Sequence, residues 1–212
     1  MTRKVQAMKV QIVLCIFFGM LAGCAAPDTP VAPLPTPTVA PGWERLLHEG
    51  QCSYVIDFPA DMESASQGEY SWILNSTAPE PVPNFIYISV IPDDFQSSEP
   101  GVIYNYDAAE AQTLLNMQAG EQRELRADPT VAPWFTYTRQ PDTLLGGQPA
   151  QTYENQQPWE FPLGTREVRY YLRGNGCTYL VGGYMATVGS GQPGWIGEEA
   201  FDEIIATFRL TP

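Results

Sequence analysis

Apolar and polar side chains alternate in short runs along residues 43–212, and Gly, Pro or Asn residues separate the runs. In residues 52–58 every second side chain is apolar or aromatic, and the run stops at Pro59. Because successive side chains of a strand point to opposite faces, a period of two is typical of a half-buried strand. The pattern predicts strands over residues 43–48, 52–58, 70–74, 85–91, 134–139, 150–156, 166–173 and 177–184.

Two segments carry their apolar residues at helical spacing instead. Residues 107–117 contain good helix formers, with Asn105 or Asp107 as a candidate cap and Gly120 as a stop. Residues 198–207 place their apolar side chains on one helical face, and the acidic residues of the first turn suit the helix dipole. The sequence therefore predicts two helices in a chain that is otherwise built of strands.

The order of these elements decides the predicted fold class. Residues 174–176, Gly-Asn-Gly, join two predicted strands, and Asn-Gly supplies the positive φ angles of a tight hairpin. A doubly wound parallel sheet needs a helix after nearly every strand, and two helices are too few for it. We therefore predict the α+β class, with an antiparallel β-sheet and helices packed on it.

The N-terminal residues have the composition of a targeting segment followed by a linker. Arg3, Lys4 and Lys9 precede an apolar run over residues 10–22, which is typical of a secretory signal and too short for a membrane span. Six of the fifteen residues in 27–41 are proline, which predicts an extended polyproline tether. We predict a signal peptide over residues 1–23, a lipidated linker over 24–42 and a globular domain over 43–212.

The apolar run ends in Leu21-Ala22-Gly23-Cys24, which resembles the lipobox of bacterial lipoproteins residue for residue. The resemblance implies that Cys24 carries a thioether-linked diacylglycerol, that a signal peptidase cuts before it, and that its new amine is a further acylation site. Two or more acyl chains suffice for stable anchoring. We expect the protein on the extracytoplasmic side of a bacterial membrane, bound to the bilayer through acylated Cys24. An ordinary signal followed by an incidental cysteine is the alternative.

Net charge narrows the classes of partner. The 212-residue chain has 11 Lys and Arg against 24 Asp and Glu, a net charge of -13, and 44% hydrophobic residues, enough for one core. Cleavage before Cys24 removes three cations, which leaves eight arginines against 24 acidic residues and a net charge of -16. Such a chain is a poor nucleic-acid binder, because phosphate contacts need Lys and Arg. Its acidity indicates either attraction to Ca²⁺ or basic partners, or a solvated acidic exterior.

Several motifs of the domain, taken in chain order, resemble PsbP-like domains. They are a Tyr-x-Ile-Asp-Phe-Pro strand at 54–59, a Leu-Gly-Gly-Gln-Pro-Ala turn at 145–150, a Tyr-Tyr-Leu-Arg-Gly-Asn-Gly-Cys-Thr-Tyr hairpin at 170–179 and a Phe-Asp-Glu-Ile-Ile-Ala-Thr-Phe-Arg helix at 201–209. The resemblance covers residues 43–212 in arrangement and implies an α-β-α sandwich. The founding members of the family are extrinsic subunits of photosystem II, many bacterial relatives are lipoproteins, and no catalytic motif comes with the family.

The reactive residues give little support for catalysis. His48 is the one histidine, no Gly-x-Ser-x-Gly elbow presents a nucleophile, and no zinc or nucleotide-binding pattern is found. We predict no catalytic, cofactor-binding or metal-binding residues, and a non-catalytic binding or assembly module for an envelope protein or a small ligand. The alternative is a carboxylate-dependent hydrolase of cell-envelope glycans, because a pair of carboxyls needs no histidine. Asp93-Asp94 and Glu198-Glu199 are the obvious acidic pairs, and solvated or capping carboxylates are the simpler interpretation.

Two groups of residues are candidates for contacts with a partner. Arg169 and Arg173 flank Tyr171 on one face of a predicted strand and are a candidate site for an anion or an acidic partner. Pairing with the protein's own carboxylates is the alternative. Trp159 and Phe161 lie between prolines and could stack on a sugar ring or anchor a partner, or else simply cover the edge of the sheet.

Cys52 and Cys177 are the two cysteines that remain after maturation and lipidation. Each opens a predicted strand and has a tyrosine two places further on. Exported domains are oxidised, and an even pair of cysteines in them is usually joined. We predict a disulfide between Cys52 and Cys177, with two separately buried thiols as the alternative.

Overall fold

A computed structural model of the chain describes residues 38–75, 85–96, 103, 106–125, 135–155, 165–186 and 196–212. These residues contain twelve β-strands and two α-helices. In chain order the elements are β1 (Trp43–His48), β2 (Tyr54–Pro59), β3 (Glu63–Ser66), β4 (Ser71–Asn75), β5 (Phe85–Pro92), α1 (Ala108–Leu115), β6 (Gln122–Leu125), β7 (Phe135–Arg139), β8 (Thr143–Leu145), β9 (Gln148–Asn155), β10 (Thr165–Gly174), β11 (Cys177–Ala186), α2 (Glu198–Ala206) and β12 (Arg209–Leu210).

The strands form two antiparallel sheets. The larger sheet has nine strands, of which eight follow the order β3-β4-β5-β11-β10-β9-β7-β6, and β8 pairs with β9. The smaller sheet has the order β1-β2-β12. In the hairpin of β10 and β11, Gly174 pairs with Cys177, and Asn175 and Gly176 have φ angles of 52° and 72°. The predicted Asn-Gly hairpin is confirmed.

The smaller sheet and α2 pack against one face of the larger sheet. Tyr54, Ile56 and Phe58 of β2 and Phe201 and Ile204 of α2 share one buried cluster with apolar residues of β4, β5, β10 and β11. In each of these strands alternate side chains reach the cluster, because successive side chains point to opposite faces. The main apolar core therefore lies between the two sheets.

The opposite face of the larger sheet is rich in aromatic residues, and α1 lies on it. Ala111 and Leu114 of α1 belong to this second cluster. Its buried tyrosines are Tyr87, Tyr137, Tyr153, Tyr171 and Tyr184. Oδ1 of Asp107 accepts a hydrogen bond from the backbone N–H of Glu110 at 2.8 Å, so Asp107 is the cap of α1. The predicted helix over residues 107–117 is confirmed with slightly shorter bounds.

The predicted α+β class, an α-β-α sandwich with helices packed on the sheet, is wrong, because the described residues are mostly β-sheet. The helices span only eight and nine residues, against twelve strands in two sheets. Four of these strands, β3, β6, β8 and β12, were not predicted. As β3 and β6 are the two edges of the larger sheet, most of their side chains are exposed and need no apolar alternation. A second sheet, rather than helices alone, covers one face of the larger sheet.

A disulfide joins Cys52, which precedes β2, to Cys177, the first residue of β11, with the Cα atoms 5.7 Å apart. Both cysteines are buried in the main apolar core. The predicted pairing is confirmed. The bridge ties the smaller sheet to the hairpin of the larger one.

Candidate functional site

Arg169 lies in a buried polar cluster on the face of the larger sheet that α1 covers. Its Nε donates to Oε1 of Glu167 at 2.7 Å, and its Nη1 donates to Oε1 of Glu110 on α1 at 2.5 Å. Tyr87 and Tyr137 donate their hydroxyls to the two oxygens of Glu167 at 2.8 and 2.7 Å. Arg169 is only 3% exposed. It bridges two carboxylates and cannot reach a partner, so the prediction of Arg169 as a partner-binding residue is corrected.

Burial governs the electrostatics of this cluster. It raises the pKa of Glu110, an effect that the neighbouring Arg169 opposes. It also raises the pKa values of Tyr87 and Tyr137 well above the ordinary tyrosine value, so both hydroxyls remain donors. Cζ of Arg169 lies 4.8 Å from the centroid of the Tyr137 ring, at cation–π distance. The cluster fixes α1 to the sheet.

Glu110 and Glu167 are a pair of carboxylates that Arg169 brings together, and we compare them with the pair that a glycosidase needs. Such an enzyme places its two carboxyls across a cleft that admits a sugar and, in inverting enzymes, a water molecule. Here the Arg169 guanidinium bonds to both carboxylates, and both oxygens of Glu167 already accept hydrogen bonds. This pair is closed to a substrate.

The acidic pairs that the sequence suggested are exposed and lie apart from this cluster. Asp93 and Asp94 follow β5, whereas Glu198 and Glu199 open α2. Oε1 of Glu198 accepts a hydrogen bond from Nη1 of Arg166 at 2.8 Å. Within the part of the chain that the structure describes, no group of three or more His, Cys, Asp or Glu residues is placed to hold a metal ion.

Arg173 is exposed, unlike Arg169, and it lines a pocket of about 240 Å³. Tyr171 of the same strand, Gln151 of β9, Thr178 of β11 and Leu115 at the end of α1 line the pocket as well. The sheet register brings these residues side by side, because Tyr171 pairs with Gln151 and Arg173 pairs with Thr178. The strands contribute the floor of the pocket, and the last residue of α1 contributes a wall.

Arg173 also differs from the other described arginines in its charge partners. Six arginines lie 3.7 Å or less from a carboxylate oxygen, namely Arg45, Arg123, Arg139, Arg166, Arg169 and Arg209. No carboxylate of the described ranges is that close to Arg173. In this acidic chain, Arg173 therefore offers a guanidinium that the described part of the protein does not neutralise.

Neighbouring groups hold the polar side chains of the pocket in place. The Tyr153 hydroxyl lies 2.8 Å from the carbonyl oxygen of Leu114 and 2.7 Å from Oε1 of Gln151. Burial raises the pKa of Tyr153 to about 12, so this hydroxyl keeps its proton. The hydroxyl has one proton and donates to one of these two oxygens at a time. Since Oε1 of Gln151 faces the hydroxyl, Nε2 is the other end of the amide and can donate to a ligand. Asp142 on the rim is ion-paired with Arg139.

A wider cavity of about 580 Å³ lies between the β8–β9 turn and α2. Leu144, which is 71% exposed, and Tyr170 line it together with Asp202 and Arg209. The guanidinium of Arg209 is already 3.7 Å from Asp57. This cavity offers no charged group comparable to Arg173.

Three of the predicted site residues, Cys24, Trp159 and Phe161, lie outside the described residues, and their roles stay predictions. In the described ranges, no helix is both long and apolar enough to cross a membrane.

The buried cluster and the amide of the pocket were missed by sequence reasoning. Glu167 and Arg169 are two positions apart in a strand and therefore share a face, which was a signal for an internal ion pair. Nothing in the sequence connects Glu110 or Gln151 to β10. Glu110 reaches Arg169 only because α1 packs on the sheet, and Gln151 lies beside Tyr171 only because β9 pairs with β10.

Comparisons with known proteins identify no family. Neither a family model nor a curated protein matches the chain. A crystal structure of a protein from Bacteroides thetaiotaomicron is similar over 79% of the chain, with 13% sequence identity and a TM-score of 0.37. The chain spans 48% of the length of that protein. A likeness this weak carries no argument about fold or function, and the resemblance to PsbP-like domains stays a prediction.

Proposed function

We propose that the protein is a lipid-anchored, non-catalytic binding module on the extracytoplasmic side of a bacterial membrane, and that it binds a small anionic ligand at the pocket beside Arg173. One observation carries the proposal for binding. Arg173 lines a pocket, is exposed, and has no carboxylate partner among the described residues, whereas the other six described arginines do.

The charge of the chain makes this guanidinium important for ligand choice. The mature protein has a net charge of -16, so few points of its surface attract an anion. Hydrogen bonds to a charged group contribute about 1.5–3 kcal/mol each, about twice the contribution of a neutral pair. The apolar groups beside Arg173, Leu115 and Tyr171, add contact area for the body of a small organic ligand.

The proposed location rests on the lipobox at Cys24 and on the proline-rich tether. The disulfide between Cys52 and Cys177 supports export, because such bridges persist mainly in oxidising compartments. An acidic chain is repelled by anionic lipid headgroups, so the acyl groups on Cys24 provide the attachment to the bilayer.

The alternative of a glycan hydrolase has no specific observation in its favour. The carboxylate pair of Glu110 and Glu167 is bridged by Arg169. The acidic pairs that the sequence suggested line neither of the two cavities described above, and we do not propose this function.

The Arg173→Gln variant tests the binding site, and Arg123→Gln is the matched control. Arg123 is also exposed and loses the same charge, but it does not line the pocket. The full chain, purified in detergent, is titrated with benzoate, benzenesulfonate and phenyl phosphate by ligand-observed NMR. At least one of the anions should bind to wild type and to Arg123→Gln, and about tenfold or more weakly to Arg173→Gln, a loss of about 1.4 kcal/mol.

Two results would contradict the proposed site. One is an affinity that stays the same in Arg173→Gln, which would place binding elsewhere. The other is the absence of binding by all three anions to wild type.

A further inference from the structure

We infer that the ligand of this pocket is a monocarboxylate with a small apolar body. The inference rests on the proposed function and names the chemistry of its ligand. It is based on the juxtaposition of the Arg173 guanidinium, the Gln151 amide and the apolar side chains of Leu115 and Tyr171 in one pocket.

The donors of the pocket match the two oxygens of a carboxylate. A guanidinium is a planar fork that bonds a carboxylate through two parallel hydrogen bonds. The Nε2 amide of Gln151 is a further donor, because its Oε1 faces the Tyr153 hydroxyl at 2.7 Å. A planar anion can therefore be bonded from two sides, from β10 by Arg173 and from β9 by Gln151.

The charge balance of the pocket favours a monoanion over phosphate. Arg173 is the one cation among the described residues that line it, and the carboxylate of Asp142 is already paired with Arg139. Phosphate sites typically use helix N-termini, whose partial charge is positive. Leu115 is instead the last residue of α1, at the end of the helix where the dipole is negative. A doubly charged ligand would meet one positive group and a negative helix end.

The size and walls of the pocket restrict the body of the ligand. A volume of about 240 Å³ equals the space of about eight water molecules at about 30 Å³ each. It is below the roughly 300–1,000 Å³ of pockets that hold drug-sized ligands. With the side chains of Leu115 and Tyr171 as apolar walls, the pocket suits one aromatic ring or a short aliphatic chain.

The pocket is fixed before the ligand arrives. Arg169 links α1 to the sheet through Glu110, and the Tyr153 hydroxyl lies 2.8 Å from the carbonyl oxygen of Leu114, next to Leu115. A preformed site loses less conformational entropy on binding. A small carboxylate can therefore bind measurably in spite of its limited contact area.

The test compares three fluorinated probes that share one body and differ in their head group. The probes are 4-fluorophenylacetate, 4-fluorobenzylsulfonate and the neutral 4-fluorophenylacetamide, and ¹⁹F NMR reports their binding to the detergent-purified full chain. The carboxylate should bind about tenfold or more tightly than the amide, since a charge-assisted pair contributes at least about 1.4 kcal/mol. The sulfonate should bind several-fold more weakly than the carboxylate, because its third oxygen finds no donor.

Two variants of Arg173 and one control test whether the probes bind beside Arg173. Arg173→Gln should abolish the preference for the carboxylate over the amide. Arg173→Lys should restore only part of it, because an ammonium keeps the charge but lacks the planar fork. Arg123→Gln, outside the pocket, should leave all three affinities unchanged.

The outcomes separate this inference from the proposed function. If the sulfonate binds as tightly as the carboxylate, and both depend on Arg173, the inference is overturned while anion binding stands. If neither anion depends on Arg173, the proposed function fails as well. A peptide that ends in 4-fluorophenylalanine distinguishes the two sources of a carboxylate: tighter binding than 4-fluorophenylacetate indicates a peptide C-terminus, and weaker binding indicates a free acid.

Discussion

Arg169 and Arg173 lie four positions apart on one face of β10 and nevertheless have different roles. Arg169 lies beneath α1, where Glu110 and Glu167 bind its guanidinium on both sides. Arg173 lies nearer the hairpin, beyond the last residue of α1, and is exposed. The same residue type is therefore a structural bridge at one position and a candidate ligand contact at the other. The extent of α1, rather than the sequence of β10, makes the difference.

Tyr87→Phe tests the buried polar cluster at the residue scale. The substitution removes one hydroxyl that donates to the fully buried Glu167 and leaves the ring in place. Oε1 of Glu167 then keeps only the hydrogen bond from Arg169. Loss of a hydrogen bond to a charged group costs about 1.5–3 kcal/mol, so the free energy of unfolding in urea should fall by that amount. Tyr106→Phe is the control, because no described side chain bonds its hydroxyl, and it should change stability little. Equal stabilities of the two variants would contradict the role given to Glu167.

Arg45→Met tests the ion pair between β1 and β2. The lowered pKa of Asp57 determines how the loss of stability in this variant should change with pH. Arg45 donates to both oxygens of Asp57, at 2.5 and 2.8 Å, and these hydrogen bonds lower the pKa of Asp57 below its ordinary 3.8. A carboxyl with a lowered folded-state pKa stabilises the fold above its ordinary pKa, and the contribution is lost as the pH falls through the folded-state value.

At pH 6 the variant should therefore be less stable than wild type by about 1.5–3 kcal/mol. The difference should shrink when urea unfolding is repeated below pH 3.8. A difference of the same size at both pH values would show that Arg45 stabilises the protein by packing rather than by its charge.

At the scale of elements, the sequence predicted those parts whose signals are local. The α1 cap at Asp107 and the turn at Asn175-Gly176 depend on residues close in the chain, and both are as predicted. Edge strands carry no such signal because their side chains are mostly exposed. Gly182 in β11 illustrates the same limit. A Cβ at this position would lie 2.5 Å from the Tyr87 hydroxyl, so only glycine fits. This need for glycine arises from the pairing of β11 with β5 and is not visible in the sequence of β11.

The pocket depends even more on contacts between elements that are distant in the chain. The sequence indicated Arg173 and its neighbour Tyr171, because they share a strand face. It could not indicate Gln151 or Leu115, which reach the pocket through the pairing of β9 and the docking of α1. The charged residue of the candidate site was therefore predictable, and its shape was not.

Asp107→Ala tests how much the cap contributes to α1. Oδ1 of Asp107 accepts from the backbone N–H of Glu110, and loss of such a cap costs about 0.5–2 kcal/mol. The variant should unfold at a correspondingly lower urea concentration. Asp61→Ala, an exposed residue between β2 and β3, is the control that removes the same charge without a cap. If the two variants lose stability equally, the effect is due to charge and not to capping.

At the scale of the whole domain, two sheets are held together by an apolar core and by one covalent bridge. The disulfide closes a loop of 125 positions, so nine of the twelve strands and α1 lie entirely between Cys52 and Cys177. In the chain-entropy model, a loop of this size restricts the unfolded chain by up to about 5 kcal/mol. The bridge should therefore contribute strongly to the stability of a domain with so few helices.

Replacing both cysteines by alanine should lower the free energy of unfolding by roughly 2–5 kcal/mol. Reductant should destabilise wild type to a similar extent and should leave the double variant unchanged, which controls for other effects of the reagent. A count of two free thiols in protein purified from the exported fraction, with no change in melting on reduction, would contradict the bridge.

We propose that the chain is a lipid-anchored module outside the membrane, and the decisive measurement is the intact mass of the protein extracted from membranes. We expect a wild-type chain that begins at Cys24 and carries the added mass of a diacylglycerol, with or without a further acyl group. Cys24→Ser should instead give the larger mass of the unprocessed 212-residue precursor. A wild-type mass without lipid, or cleavage at the same bond in Cys24→Ser, would contradict it.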